Sequence, residues 1–174
     1  MAVASAFSLR GWVEEHRHLL KPPVGNACVY PDTDFIVMVV GGPNRRKDYH
    51  VNPTEELFYQ LEGDITVKII DDGVKRDIHI REGDMFLLPP LVPHSPQRGP
   101  NTVGLVIERK RPEGQNDHLR YYCEKCDNIL FDPEFYLTDI ARQLKPLMET
   151  FWGDEKLRTC KKCGTVMQPP APAA

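Results

Sequence analysis

The 174-residue chain has no apolar run long enough to span a bilayer, and this excludes a helical membrane protein. It has no basic block either. With charged residues at 27% and a net charge of -3, no segment carries the clustered Lys and Arg of a nucleic-acid footprint. Cysteine is scarce, and four of the five residues fall into two CxxC pairs. The start of the chain, Met1 to Leu9, has no basic residue before Arg10 and runs into the charged stretch Glu14 to Arg17, which is unlike a secretory leader. Cysteine pairs in a chain without such a leader point to metal ligation and a cytoplasmic setting rather than disulfides. A small-molecule partner is expected, with no nucleic acid and no membrane.

At 41% apolar, the chain supports one principal core plus a small appendage. Ser8 to Leu20 begins with a candidate cap and spaces Leu9, Trp12, Val13, His16 and Leu20 as an amphipathic helix, which Lys21-Pro-Pro-Val-Gly-Asn26 ends. From Phe35 to Arg109 the pattern becomes FIVMVVG, ELFYQLEG, ITVKII, VKRDIHI, MFLLPP and VGLVIER, broken by DDG, EGD and Pro/Gly/Asn turns. Such runs predict a mainly β barrel or sandwich. After Arg111-Pro-Glu-Gly-Gln-Asn116 come an aromatic strand at Leu119 to Cys123 and a helix through Leu137, Ile140, Ala141, Leu144, Leu147, Met148 and Phe151. Thr138 is its candidate cap, and Pro146 should bend or split it. The expected division is a barrel with its N-terminal helix at 1–115, a four-cysteine module at 116–167 and a disordered tail at 168–174.

His50, Glu56 and His94 stand out as candidate ligands of one mononuclear metal. Glu56 precedes Gly63 by seven positions, and Gly83, Pro89 and His94 follow in EGDMFLLPPLVPH. These spacings resemble the two cupin motifs and imply a double-stranded β-helix, or jelly-roll, barrel. Where many cupins place a histidine two positions before the first ligand, this chain has Asp48. Leu91 replaces the glycine three positions before His94, and Arg98 replaces the asparagine four positions after it. Two histidines and one carboxylate leave three coordination positions open, enough for a bidentate substrate and O2, and redox chemistry with O2 favours Fe(II) over Zn(II). A lone histidine in a β-protein is ordinarily a surface or hydrogen-bonded residue, but three donors at motif spacing read otherwise. His79 should face away beside Ile78 and Ile80, and His16, His18 and His118 are read as helix or loop residues. Glu55 competes with Glu56, and the spacing to Gly63 favours Glu56. Arg98 suggests a pocket adapted to an anion.

Cys123-x2-Cys126 and Cys160-x2-Cys163 can place four thiolates around one tetrahedral metal, zinc or iron. A saturated site has no position for substrate, so its role is structural or auxiliary. Cys28 lies outside the set and reads as a small buried apolar residue.

LLKPPVGN, VVGGPNRRKDYH, EELFYQLEGD, EGDMFLLPP, VPHSPQR and VGLVIER, followed by RYYCEKC and RTCKKC, together resemble the 3-hydroxyanthranilate 3,4-dioxygenase family. The likeness is to its single-cupin form with a C-terminal rubredoxin-like site, and it covers most of the chain from Trp12 to Cys163. It implies that His50, Glu56 and His94 bind Fe(II), that Arg98, Glu108 and Glu56 contact the substrate, and that Arg46 lies by the O2 position. A guanidinium can fork two donors onto a carboxylate, while Glu108 could accept from the amine or hydroxyl, or orient Arg98. Without the motifs, Arg46 and Arg98 would read as solvated surface residues. Asn26 in the PPVGN turn is a weaker candidate for the pocket lining. The resemblance further implies extradiol-type opening of 3-hydroxyanthranilate to 2-amino-3-carboxymuconate semialdehyde, which cyclises to quinolinate, a precursor of NAD in the kynurenine pathway. The rival readings are a non-redox cupin isomerase and a non-catalytic ligand-binding cupin. A homodimer through exposed sheet edges is expected.

Overall fold

The computed structural model describes residues 3, 5–21, 25–31 and 33–170, so residues 171–174 of the expected tail and Pro22 to Val24 of the expected turn lie outside the described residues. Two antiparallel sheets face each other. The first has five strands: β1 (Asn26–Cys28), β2 (Phe35–Gly41), β9 (Val103–Arg109), β4 (Glu56–Glu62) and β7 (Met85–Leu88), in that lateral order. The second runs β11 (Ile129–Phe131), β10 (Asp117–Tyr122), β3 (Asp48–Val51), β8 (His94–Arg98), β5 (Ile65–Asp71) and β6 (Val74–Ile80), with β12 (Glu134–Phe135) also paired to β10. This is the mainly β cupin architecture expected from the motifs.

Alternation builds the core. In ELFYQLE every second residue from Glu56 to Gln60 is buried, and in ITVKIID the same holds from Ile65 to Ile69. Met38, Phe58, Leu88 and Val106 of the first sheet meet Ile65, Val67, Ile69 and Ile80 of the second. The motif glycines Gly63 and Gly83 both have positive φ, which only glycine adopts without cost. Leu91 stands where the motif has its third glycine and keeps the same left-handed backbone, φ +63.

Helix α1 (Leu9–His16) starts at Ser8, whose hydroxyl accepts from the Gly11 amide, and continues as a 3-10 turn through Leu20. Helix α2 (Ile140–Gly153) is capped by Asp139 instead of Thr138, because the Asp139 carboxylate accepts from the Arg142 amide while Gln143 reaches back to Thr138. Pro146 does not split it: its missing donor costs one bond within a helix whose apolar face packs on Leu119, Tyr121 and Met167. A short α3 (Glu155–Arg158) follows. His118, expected in a helix or loop, lies in β10 and pairs with Asp132. Cys28, expected to be buried, is exposed because β1 is a three-residue edge strand; its thiol donates to the Tyr30 carbonyl. Beyond residue 116 the sheet continues without a break, since β10 is hydrogen-bonded to β3.

Candidate active site

The three candidate ligands come together. His50 on β3 and His94 on β8 are direct cross-strand partners, with ring centroids 5.3 Å apart. Glu56 on β4 reaches them from the opposite sheet, its Oε2 3.1 Å from His94 Nε2. One donor atom from each lies within 4.8 Å of the others, and all three residues are buried. Glu55 is exposed, as is His79. Each imidazole has one nitrogen held by an acceptor, His50 Nε2 by Asp117 Oδ2 at 2.6 Å and His94 Nδ1 by the Val92 carbonyl at 3.1 Å. Such anchoring leaves the other nitrogen for a cation, so the donor set fits a divalent metal. Burial raises the Glu56 carboxyl, but His94 outweighs this and holds it at about 2. His94 is in turn raised, its burial offset by the same carboxylate.

Glu56 faces a second carboxylate. Its register partner on β9 is Glu108, and the Asn52 amide donates to one oxygen of each, at 3.2 and 3.3 Å. Burial and the neighbouring Glu56 push the Glu108 carboxyl up, against the pull of Arg111. Its Oε2 accepts from Arg111 at 2.6 Å, while Oε1 is buried with no partner among the described residues. Glu108 therefore pairs with Arg111 and does not orient Arg98.

Arg98 is 4% exposed, and among the described residues its guanidinium makes one hydrogen bond, to Gln60 Oε1 at 3.3 Å. Burial without a carboxylate partner lowers it to about 10. Gly104 makes room for it: a Cβ there would lie 2.8 Å from Arg98 Nη1. Asn44 fixes the backbone, accepting from the Arg98 amide and donating to the Pro96 carbonyl. A buried cation with free donors attracts an anion. Arg46 is engaged with the buried carboxylate of Asp48 at 2.5 Å, which gives the residue at the customary extra-histidine position a partner other than a metal.

A cavity of about 510 Å³ is lined by Asn26, Cys28, Ile36, Met38, Arg111 and Ile140, among others. None of the three ligands lines it. Met38 belongs to the barrel core, Ile36 is the register partner of Glu108, and Arg111 bonds Glu108, so the cavity borders the ligand chamber. Asn26 lines this cavity, and its Oδ1 is buried with no partner among the described residues.

The four cysteines also converge. Sulfur pairs Cys123–Cys163 and Cys126–Cys160 lie 3.6 and 3.5 Å apart. A tetrahedron with bonds of about 2.3 Å has edges near this length, whereas a disulfide is far shorter. The two knuckles repeat each other: the Cys123 and Cys160 amides donate to Asn128 and Thr165, and the Asp127 and Gly164 amides return to the two cysteines. The residue after each second cysteine has positive φ.

Arg111, Asp117, Asn52 and Gln60 were not singled out in the sequence, although all four are buried and bond a candidate site residue: Glu108, His50, Glu56 and Arg98 respectively.

The 3-hydroxyanthranilic acid dioxygenase family matches residues 1–152. The chain is 51% identical over 166 residues to a 3-hydroxyanthranilate 3,4-dioxygenase of Lodderomyces elongisporus, covering 95% of this chain and 94% of that protein. It is 54% identical over 167 residues to the enzyme of the same name from Jannaschia sp., covering 95% and 93%. Among solved structures, a cupin-2 domain protein of Shewanella frigidimarina is similar over 56% of this chain and 91% of its own, with 18% identity and a TM-score of 0.45. The chain belongs to the 3-hydroxyanthranilic acid dioxygenase family.

Proposed function

We propose that this chain opens the aromatic ring of 3-hydroxyanthranilate with O2, giving 2-amino-3-carboxymuconate semialdehyde, which cyclises to quinolinate. Family membership favours this over a cupin isomerase or a ligand store. The observation that carries it is the pairing of a buried His50, Glu56 and His94 cluster with the anion-seeking guanidinium of Arg98. The cluster is read as the seat of Fe(II), which supplies one-electron chemistry toward O2 when bound. Arg98 takes the substrate carboxylate. The bare Oε1 of Glu108 accepts a hydrogen from the substrate amine or hydroxyl, with Glu56 contacting the substrate beside it, and Arg46 borders the O2 position. Fe(II) reconstitution without air, followed by substrate and O2, should give oxygen uptake matched by quinolinate. No uptake by fully metallated protein overturns the reading.

The four-cysteine cluster is assigned a structural iron or zinc, within a module at 116–167 built onto the edge of the barrel. Cys123→Ser should lower thermal stability while iron stays in the barrel; a folded variant without barrel iron would refute separate roles. Two CxxC pairs that serve a metal suit a reducing compartment, and the cytoplasm is the proposed setting. Among the described residues, no helix is long and apolar enough to cross a membrane. For the homodimer, the supporting surface is edge strand β7, where exposed Met85 and Leu87 stand across from Tyr59 and Leu57. Sedimentation velocity should show a dimer, and Met85→Lys with Leu87→Lys a monomer.

A further inference from the structure

One buried side chain joins the metal side of the chamber to the substrate side. Arg111 follows β9, and its guanidinium side chain is 0% exposed. A guanidinium has five N–H donors. All five are used: Nε on Asp117 Oδ1, Nη1 on Thr54 Oγ1 and the Arg109 carbonyl, and Nη2 on Glu108 Oε2 and Asp117 Oδ2. No donor remains for a substrate, which sets Arg111 apart from Arg98.

Its two carboxylate partners lead to different places. Asp117 continues to His50 Nε2 at 2.6 Å, whereas Glu108, tied by Oε2 to Arg111 and Asn52, keeps Oε1 without a partner. A buried arginine between two buried carboxylates is a poor device for stability, since apolar groups of the same volume do as well. What it supplies is orientation, because one rigid plane fixes both carboxylates relative to each other.

We propose that Arg111 is a positioning residue for the ring-opening reaction: through Asp117 it sets the His50 ring, and by holding Oε2 it presents Oε1 of Glu108 to the substrate. This rests on the function proposed above. Asn52 serves the same arrangement by spacing Glu108 from Glu56. A lysine keeps the charge but loses the planar fork, so it cannot hold both carboxylates at once.

The test uses full-length Arg111→Lys and Asp117→Asn, each first checked for cooperative thermal unfolding. For Arg111→Lys, the expected result is Fe(II) affinity at the barrel site weakened by about tenfold or more and altered visible bands of the Co(II)-substituted protein. Its kcat should fall by at least about tenfold with KM within about threefold, because Arg98 still holds the carboxylate. Asp117→Asn should reproduce the metal-side changes. Glu108→Gln should reproduce the kcat loss with wild-type Co(II) bands. A folded Arg111→Lys with wild-type Co(II) bands and kcat overturns the proposal, as does a loss confined to KM. If Arg111→Lys does not fold, Asp117→Asn decides: unchanged Fe(II) affinity and Co(II) bands overturn it. The Co(II) bands are read without substrate, so a wild-type protein that consumes no O2 would count against the ring-opening reading separately.

Discussion

Two buried arginines, Arg98 and Arg111, sit within one chamber and are solvated by the protein in opposite ways. Arg111 has an acceptor for each of its five donors, two of them shared with Asp117, and stays firmly charged. Arg98 has one neutral acceptor, Gln60, and burial lowers it to about 10. The same residue type is thus fully paired in one place and, among the described residues, left with unused donors in the other, as the proposed receptor role of Arg98 requires. The difference shows that burial alone does not tell a structural cation from a binding one. The count of unused donors does.

The largest test of that contrast is truncation of the joint. Arg111→Met leaves the carboxylates of Asp117 and Glu108 buried without a cation and should cost about 3–5 kcal/mol, read as a fall in Tm or denaturant midpoint; unchanged stability would erase the distinction. The mirror experiment is Arg98→Met. It removes an unpaired buried charge, so stability should hold or rise by roughly 1 kcal/mol, while KM for 3-hydroxyanthranilate rises by about tenfold to a hundredfold with the loss of charge-assisted bonds. Unchanged KM would remove Arg98 from the pocket. Gly104→Ala probes the receptor more gently: the added Cβ would meet Arg98 Nη1 at 2.8 Å and Gln60 Oε1 at 2.7 Å. KM should rise by several-fold, roughly 1 kcal/mol, with the barrel metal retained on elemental analysis. Smallest is Leu91→Gly, which relieves a left-handed leucine and should stabilise by about 0.5–1 kcal/mol net of the entropy of glycine.

The candidate ligands and Arg98 stood out because motif spacing singles them out, and the strands FIVMVVG and VGLVIER were legible as short apolar β-rich runs bounded by turn residues. Among the strands that were not are the two that carry His50 and His94. DYHV and HSPQR turn polar groups inward to the site, so neither shows an apolar stripe, and Pro96 argues against a strand at all. Arg111 and Asp117 were hidden for a further reason. They flank a stretch that reads as a linker, and their meaning comes from the pairing of β10 with β3, which brings Asp117 to a histidine 67 residues away. Short-range pattern carries no record of such register. The Leu91 departure from the cupin motif was visible as a residue, but its cost was not, because the backbone keeps the glycine conformation.

Strand β10 is fastened at both ends. Its first residue, Asp117, seats His50, and the residue after its last is Cys123 of the thiolate cluster. Six residues of strand reach about 20 Å, so the two centres are the two rivets of a single strut. If the cysteine cluster holds a metal as proposed, chelating it should loosen the strut from one side, and amide exchange along β10 should advance from Tyr122 toward Asp117 while the barrel beyond β3 stays protected.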